Sequence, residues 1–256
     1  MQAQIADRVY LSGDRVIVFL MRFELNLAMI LCKLATLILA MDCWTGNPDA
    51  AINPVSAGTY RASGLSYREQ LRYPEAIAAF QKAAELDPTN PSNSVLLGWT
   101  QHLAGQEDAA TQTLLNAAYQ DLSNVSTFNA LGIVLLTRGK LDDAVWVHSW
   151  ALGLNSDNEI AYYNLSLAYH RLQQYDWAIA TAKKAARLEP SNPHPFVALA
   201  IAHWSKGDRS SATQAYRQAL QIDSRYRDRS FLGYLNEAGF HIDQIRVAEQ
   251  VLLRRM

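Results

Sequence analysis

Cysteine is nearly missing from this 256-residue chain, and the two that occur, Cys32 and Cys43, both precede residue 44. They are not a CxxC pair, and no further cysteine exists to complete a zinc site. A disulfide framework is therefore excluded for the bulk of the chain. Charge of one sign is also missing. A net charge of -1 offers no clustered field for phosphates, so nucleic acid is not an expected partner. The densest basic groups, Lys183-Lys184 with Arg187 and the terminal Arg254-Arg255, read as solvated helix positions. There is no GxGxxG, P-loop, HExxH or GxSxG motif, and the six histidines never pair at ligand spacing on one helical face. The residues nominate no catalytic group, no cofactor and no metal site. A non-enzyme is expected.

What is present is a period. Half the residues are hydrophobic and 18% are charged, which suits a folded chain with a substantial core. Asn90, Asn124, Asn158 and Asn192 recur every 34 residues. Gly64, Gly98, Gly132, Ser166 and Ala200 keep the same spacing, always with a small side chain. Ala76, Ala110, Ala144, Ala178 and Ala212 form a third series, and Ala83, Ala117, Ala151, Ala185 and Ala219 a fourth. Gly105, Gly139 and Gly207 form a fifth, with Leu71 and Gln173 as exceptions.

Each series has a physical task. Asparagine at the boundary can cap the next helix, and Pro91 and Pro193 suit a first helical turn. Gly105, Gly139 and Gly207 fall where a first helix should end in a left-handed residue. The small residues let two antiparallel helices approach closely. Apolar residues such as Leu165, Ala168, Tyr169 and Leu172 recur between them at helical spacing. Each unit therefore reads as helix, tight turn and helix, unable to bury its apolar face alone.

With Tyr162, Leu165, Tyr169, Tyr175, Ala178, Ala185 and Pro190, this register resembles the tetratricopeptide repeat family, bacterial and more narrowly cyanobacterial members included. Tyr60, Gly64, Tyr67, Tyr73, Ala76, Phe80, Ala83 and Pro88 carry the same pattern in the first unit. The third departs most, with His148 in place of a core aromatic and Ser156 in place of proline. The expected fold is all-α, a right-handed α-solenoid of five tandem 34-residue units: 57–90, 91–124, 125–158, 159–192 and 193–226. After them, Ile242, Ile245, Ala248, Val251 and Leu252 make an amphipathic helix, so 227–256 reads as a helical cap.

Residues 1–41 read as a leader, and 42–56, with Gly46, Pro48 and Pro54, as a linker. Leu25–Met41 is apolar apart from Asn26 and Lys33, short for a membrane span and nearer to the core of a secretory signal, with Met21 a plausible start. Export or membrane anchoring is the favoured expectation, with the repeats outside the cytoplasm. A cytoplasmic packing helix is the alternative.

The resemblance implies recognition of extended peptides by the concave face of the first helices. The matching positions here are Arg61, Leu65 and Arg68, then Val95, Trp99 and His102, then Asn129, Ile133 and Leu136. They continue with Tyr163, Leu167, His170 and Arg171, then His194, Val197, Ile201 and Trp204. The family's chaperone-tail clamp needs Lys, Arg and Asn converging on a terminal carboxylate. Val95, Trp99, Ile133, Leu167 and Ile201 favour an apolar or aromatic segment instead. The expected role is a protein-binding scaffold, in assembly or biogenesis. Trp146 and Trp150 share a face of one second helix where the other units carry small or polar residues, and Trp177 extends it. That convex patch is the alternative contact surface, through which a second copy could bind.

Overall fold

The structure, a computed structural model, describes residues 56–254. The leader, the apolar run Leu25–Met41, both cysteines and all of the linker but Ser56 lie outside the described residues. Ten α-helices follow in five hairpins. They are α1 (Ala57–Glu69) with α2 (Tyr73–Leu86), α3 (Pro91–Leu103) with α4 (Glu107–Gln120), and α5 (Val125–Thr137) with α6 (Leu141–Leu154). Then come α7 (Glu159–Arg171) with α8 (Tyr175–Leu188), and α9 (His194–Lys206) with α10 (Arg209–Ile222). Every second helix packs on the first helix of the next hairpin, and first helices from α3 onward also touch, which builds an α-solenoid. Two 3-10 helices, Ser224–Arg227 and Arg229–Asn236, lead to a last helix, α11 (Ile242–Arg254). Among the described residues no helix is long and apolar enough to cross a membrane.

The helix starts are written in the asparagines. The side chains of Asn90, Asn124, Asn158 and Asn192 accept from the backbone N–H of Ser92, Thr127, Ala161 and His194 at 2.9 to 3.2 Å. The turn inside each hairpin is equally uniform. The N–H of Arg72, Gln106, Lys140, Gln174 and Asp208 each reaches back to a carbonyl five residues earlier, closing a Schellman turn. Its left-handed residue is glycine in three hairpins, but Leu71 (φ 60°) and Gln173 (φ 59°) take the same conformation. Hydrogen-bond closure thus overrides the residue's own preference.

The close approach of paired helices rests on one interlock. A Cβ added at Gly64, Gly98 or Gly132 would lie 2.5 to 2.6 Å from the side chain of Phe80, Leu114 or His148 on the facing second helix. His148 is completely buried at this position. The Gly132 backbone comes near, yet neither ring nitrogen gains a well-formed hydrogen bond from a protein group. Burial pushes the imidazole down from its ordinary 6.5 to about 3. The apolar core divides in two. Ala76, Ile77, Phe80 and Leu97 form a small cluster in the first hairpin and its junction with α3. A second, larger cluster runs from α4 to α11.

Two outcomes follow from these positions. Leu71→Gly and Gln173→Gly should each stabilise the protein by up to about 1 kcal/mol in urea denaturation, because both side chains are exposed and only the left-handed strain is relieved. His148 is neutral in the folded protein and protonates first in the unfolded chain. Its contribution is therefore complete above about pH 6.5 and lost as pH falls toward 3. His148→Phe should raise stability at pH 7 by about 1 kcal/mol or more. It should also remove as much as about 1.4 kcal/mol per pH unit from the slope below pH 6.5.

Candidate peptide-binding groove

The first helices turn repeat positions 5, 9 and 12 toward one concave face, and that face has two halves. In the first half, over α1, α3 and α5, the side chains other than Leu136 remain partly open. Arg61 donates from Nη1 to Asn93 Oδ1 at 3.3 Å, and the Arg68 guanidinium lies 6.0 Å from the Phe80 ring centroid. Leu65, Val95, Trp99 and Ile133 are half-buried. The indole of Trp99 leans on His102 with ring centroids 5.1 Å apart. His102 Nδ1 in turn sits 3.0 Å from both carboxylate oxygens of Glu107. Asn129 exchanges side-chain hydrogen bonds with Asn158 at 2.8 and 3.3 Å, which spends its amide on the next helix cap. Leu136 is buried, and its carbonyl accepts from Arg171 Nη1 at 2.6 Å.

The second half is filled by the chain itself. Leu167, Val197 and Ile201 are wholly buried and Trp204 is 8% exposed. Tyr163 donates its hydroxyl to the carbonyl of Ala238. Gln244 Nε2 on α11 donates to the carbonyl of Leu167 at 3.2 Å and lies 3.3 Å from His170 Nδ1. His170 Nε2 stands 2.9 Å from Ser205 Oγ, so this network assigns the ring proton to Nε2. Burial lowers His170 to about 4. Trp204 Nε1 donates to Gln250 Oε1 at 3.1 Å, and the Arg254 guanidinium lies over its ring. His194 is half-buried, 6.3 Å from both the Tyr163 and Tyr226 rings. Of the residues expected at an open surface in the last two hairpins, Tyr163, Leu167, His170 and Trp204 thus meet residues 238–254, whereas Arg171 turns to the Leu136 carbonyl and His194 to aromatic rings of the solenoid and its 3-10 turn.

Sequence reasoning missed Ala238, Gln244 and Gln250 as the partners of this half. The signal was present. Gln244 and Gln250 flank the apolar stripe of Ile245, Ala248, Val251 and Leu252, and Gly239 breaks the chain just ahead of it. Nothing in the spacing says which surface that stripe covers. On the convex side Trp146 and Trp150 stack with centroids 5.7 Å apart. Trp150 is 41% exposed while its Nε1 donates to the Leu122 carbonyl at 3.1 Å. Trp177 packs on Tyr169 at 6.0 Å.

Residues 57–90 and 160–192 match one family model described as tetratricopeptide repeat, and 194–226 match another of the same description. The chain belongs to the tetratricopeptide repeat family. Hairpins two and three fall between the matched segments, yet they repeat the same caps and turns. A tetratricopeptide repeat protein of Thermus thermophilus shares the fold with a TM-score of 0.58 at 22% identity, over 77% of this chain and 100% of that one. MamA of Desulfovibrio magneticus does so at 0.59 and 20%, over 66% and 95%. The Hsp70-Hsp90 organizing protein of Triticum aestivum is 32% identical over 94 residues, 37% of this chain and 16% of that protein. A Hordeum vulgare protein described as a probable N-acetylglucosaminyltransferase, SPINDLY, is 28% identical over 151 residues, 59% and 13%. The chain thus spans only a small part of these relatives. Tetratricopeptide repeat proteins act as protein-interaction scaffolds.

The filled and open halves of this repeat array should answer differently to the same truncation. Ile201→Ala, in the covered half, should cost about 2–4 kcal/mol in urea denaturation. Ile133→Ala, two repeats earlier at the equivalent position, should cost roughly half as much or less, because part of its surface already meets water.

Proposed function

We propose that the protein is a non-enzymatic scaffold that holds an apolar or aromatic peptide segment of a protein partner in the open half of its groove. The observation that carries this reading is the pairing of equivalent positions. Val197 and Ile201 are wholly buried in the half of the face that the last helix covers, whereas Val95 (equivalent to Val197) and Trp99 and Ile133 (both equivalent to Ile201) line the same face without such a cover in the described residues. A half-buried indole flanked by aliphatic side chains has the character of a binding hot spot. The terminal-carboxylate clamp finds little support, because Asn129 is committed to Asn158 and Arg61 to Asn93. The apolar run Leu25–Met41 favours an assembly or biogenesis role at a membrane. Homologues are mostly non-catalytic scaffolds, which supports the reading of this chain as one.

A second reading places the contact on the convex face, where Trp150 keeps 41% of its surface exposed. One comparison separates the two. For a peptide selected by display against the intact protein, Trp99→Ala should weaken binding by about 2 kcal/mol or more, roughly 30-fold in Kd, by isothermal titration. Trp150→Ala should leave it unchanged. The reverse pattern would move the binding surface to the convex side.

A further inference from the structure

The covered half of the groove behaves as an occupied binding site. Tyr163, His170 and Trp204, all on the concave face, each hydrogen-bond or closely approach the segment that follows Glu237. Between these anchors the groove residues Leu167, Val197 and Ile201 share one core with the stripe of α11. The stripe has the three- and four-residue spacing by which an amphipathic helix lies in a groove. Two features set α11 apart from the solenoid. Hairpin helices pack chiefly on those of their own and adjacent hairpins, whereas α11 packs on the last hairpin and its Gln244 also bonds the Leu167 carbonyl on α7. It is also joined to α10 through short 3-10 turns rather than through another tight hairpin.

We propose that residues 237–254 are a separable helical ligand of the groove in the fourth and fifth repeats, and that this surface accepts the same helix from a second copy of the chain. Exchange between copies keeps every groove contact, because the incoming segment carries the same Ala238, Gln244 and Gln250 in the same order. Tyr226, Leu232 and Leu235 stay in the solenoid core, and the exposed Asn236–Glu237 pair that follows them is where such an exchange would hinge. A repeat array is stabilised mainly by contacts between neighbouring units, so the solenoid stands while the segment leaves. The inference does not rest on the open-half reading, which concerns the first three repeats.

The test uses the full chain carrying Val251→Asp and Leu252→Asp, which expels its own helix and leaves the groove wall intact. A fluorescein-labelled peptide of residues 237–256 is titrated into it, with fluorescence anisotropy as the readout. Saturable binding is expected, about tenfold or more tighter than to the unsubstituted chain, whose groove is full. The same peptide with Gln244→Ala and Gln250→Ala should bind about tenfold more weakly. Two differently labelled unsubstituted chains, mixed at high concentration, should develop energy transfer between groove and helix labels. Retained helical circular dichroism without peptide binding would overturn the proposal. So would collapse of the helical signal of the whole chain in the double variant, which would make the segment an integral part of the fold. Peptide binding without energy transfer between full chains would overturn the exchange between copies.

Discussion

Everything in this molecule depends on how closely two helices of a hairpin can approach. Gly64, Gly98 and Gly132 leave no side chain where Phe80, Leu114 and His148 must lie, so the second helix settles into the first. At the fourth unit the large residue becomes Ala182, and the facing position then tolerates Ser166. That depth of approach sets the curvature of the face that the first helices present. A chain with bulkier residues at these positions would have wider hairpins and a different groove. The polar imidazole of His148 survives in the series because ring shape, rather than hydrogen bonding, fills the space.

The groove then takes its character from length. Five hairpins make a concave face longer than α11 can line, so the helix covers only the last two units. Tyr163, His170 and Trp204 in those units have polar tips as well as apolar bodies, and each tip meets a group on the returning segment. In the first three units the corresponding side chains bond within the solenoid instead, as Arg61 does to Asn93 and Asn129 to Asn158. The division between filled and open halves is thus also a division in where polar groups find their partners.

The solenoid was legible in the sequence because its causes are local and periodic. Asparagine caps, small residues and turn glycines act within one unit, and repetition makes them visible. The same locality explains why Leu71 and Gln173 could be recognised as turn positions despite lacking glycine: the register named the position before the residue did. The groove half closed by α11 was not legible. Its stripe was plain, but Gln244 meets Leu167 across 77 residues, and no pattern within either segment encodes the other. The Trp146–Trp150 stack sits between these cases, since its spacing was visible but the bond from Trp150 to the Leu122 carbonyl was not.

The small cluster around Phe80 carries a consequence of its own. Because Ala76, Ile77 and Phe80 share their core with Leu97 rather than with the large cluster, the first hairpin is tied to the array through a small core of its own, and its opening need not breach the large one. Such a foldon opens at a lower free energy than the array behind it. Amide hydrogens of α1 and α2 should therefore exchange with solvent by subglobal opening before those of α7 to α9. The end of the groove that holds Arg61, Leu65 and Arg68 is its softest part. A ligand reaching that end would order the hairpin as it binds, and the cost of that ordering would be subtracted from its affinity.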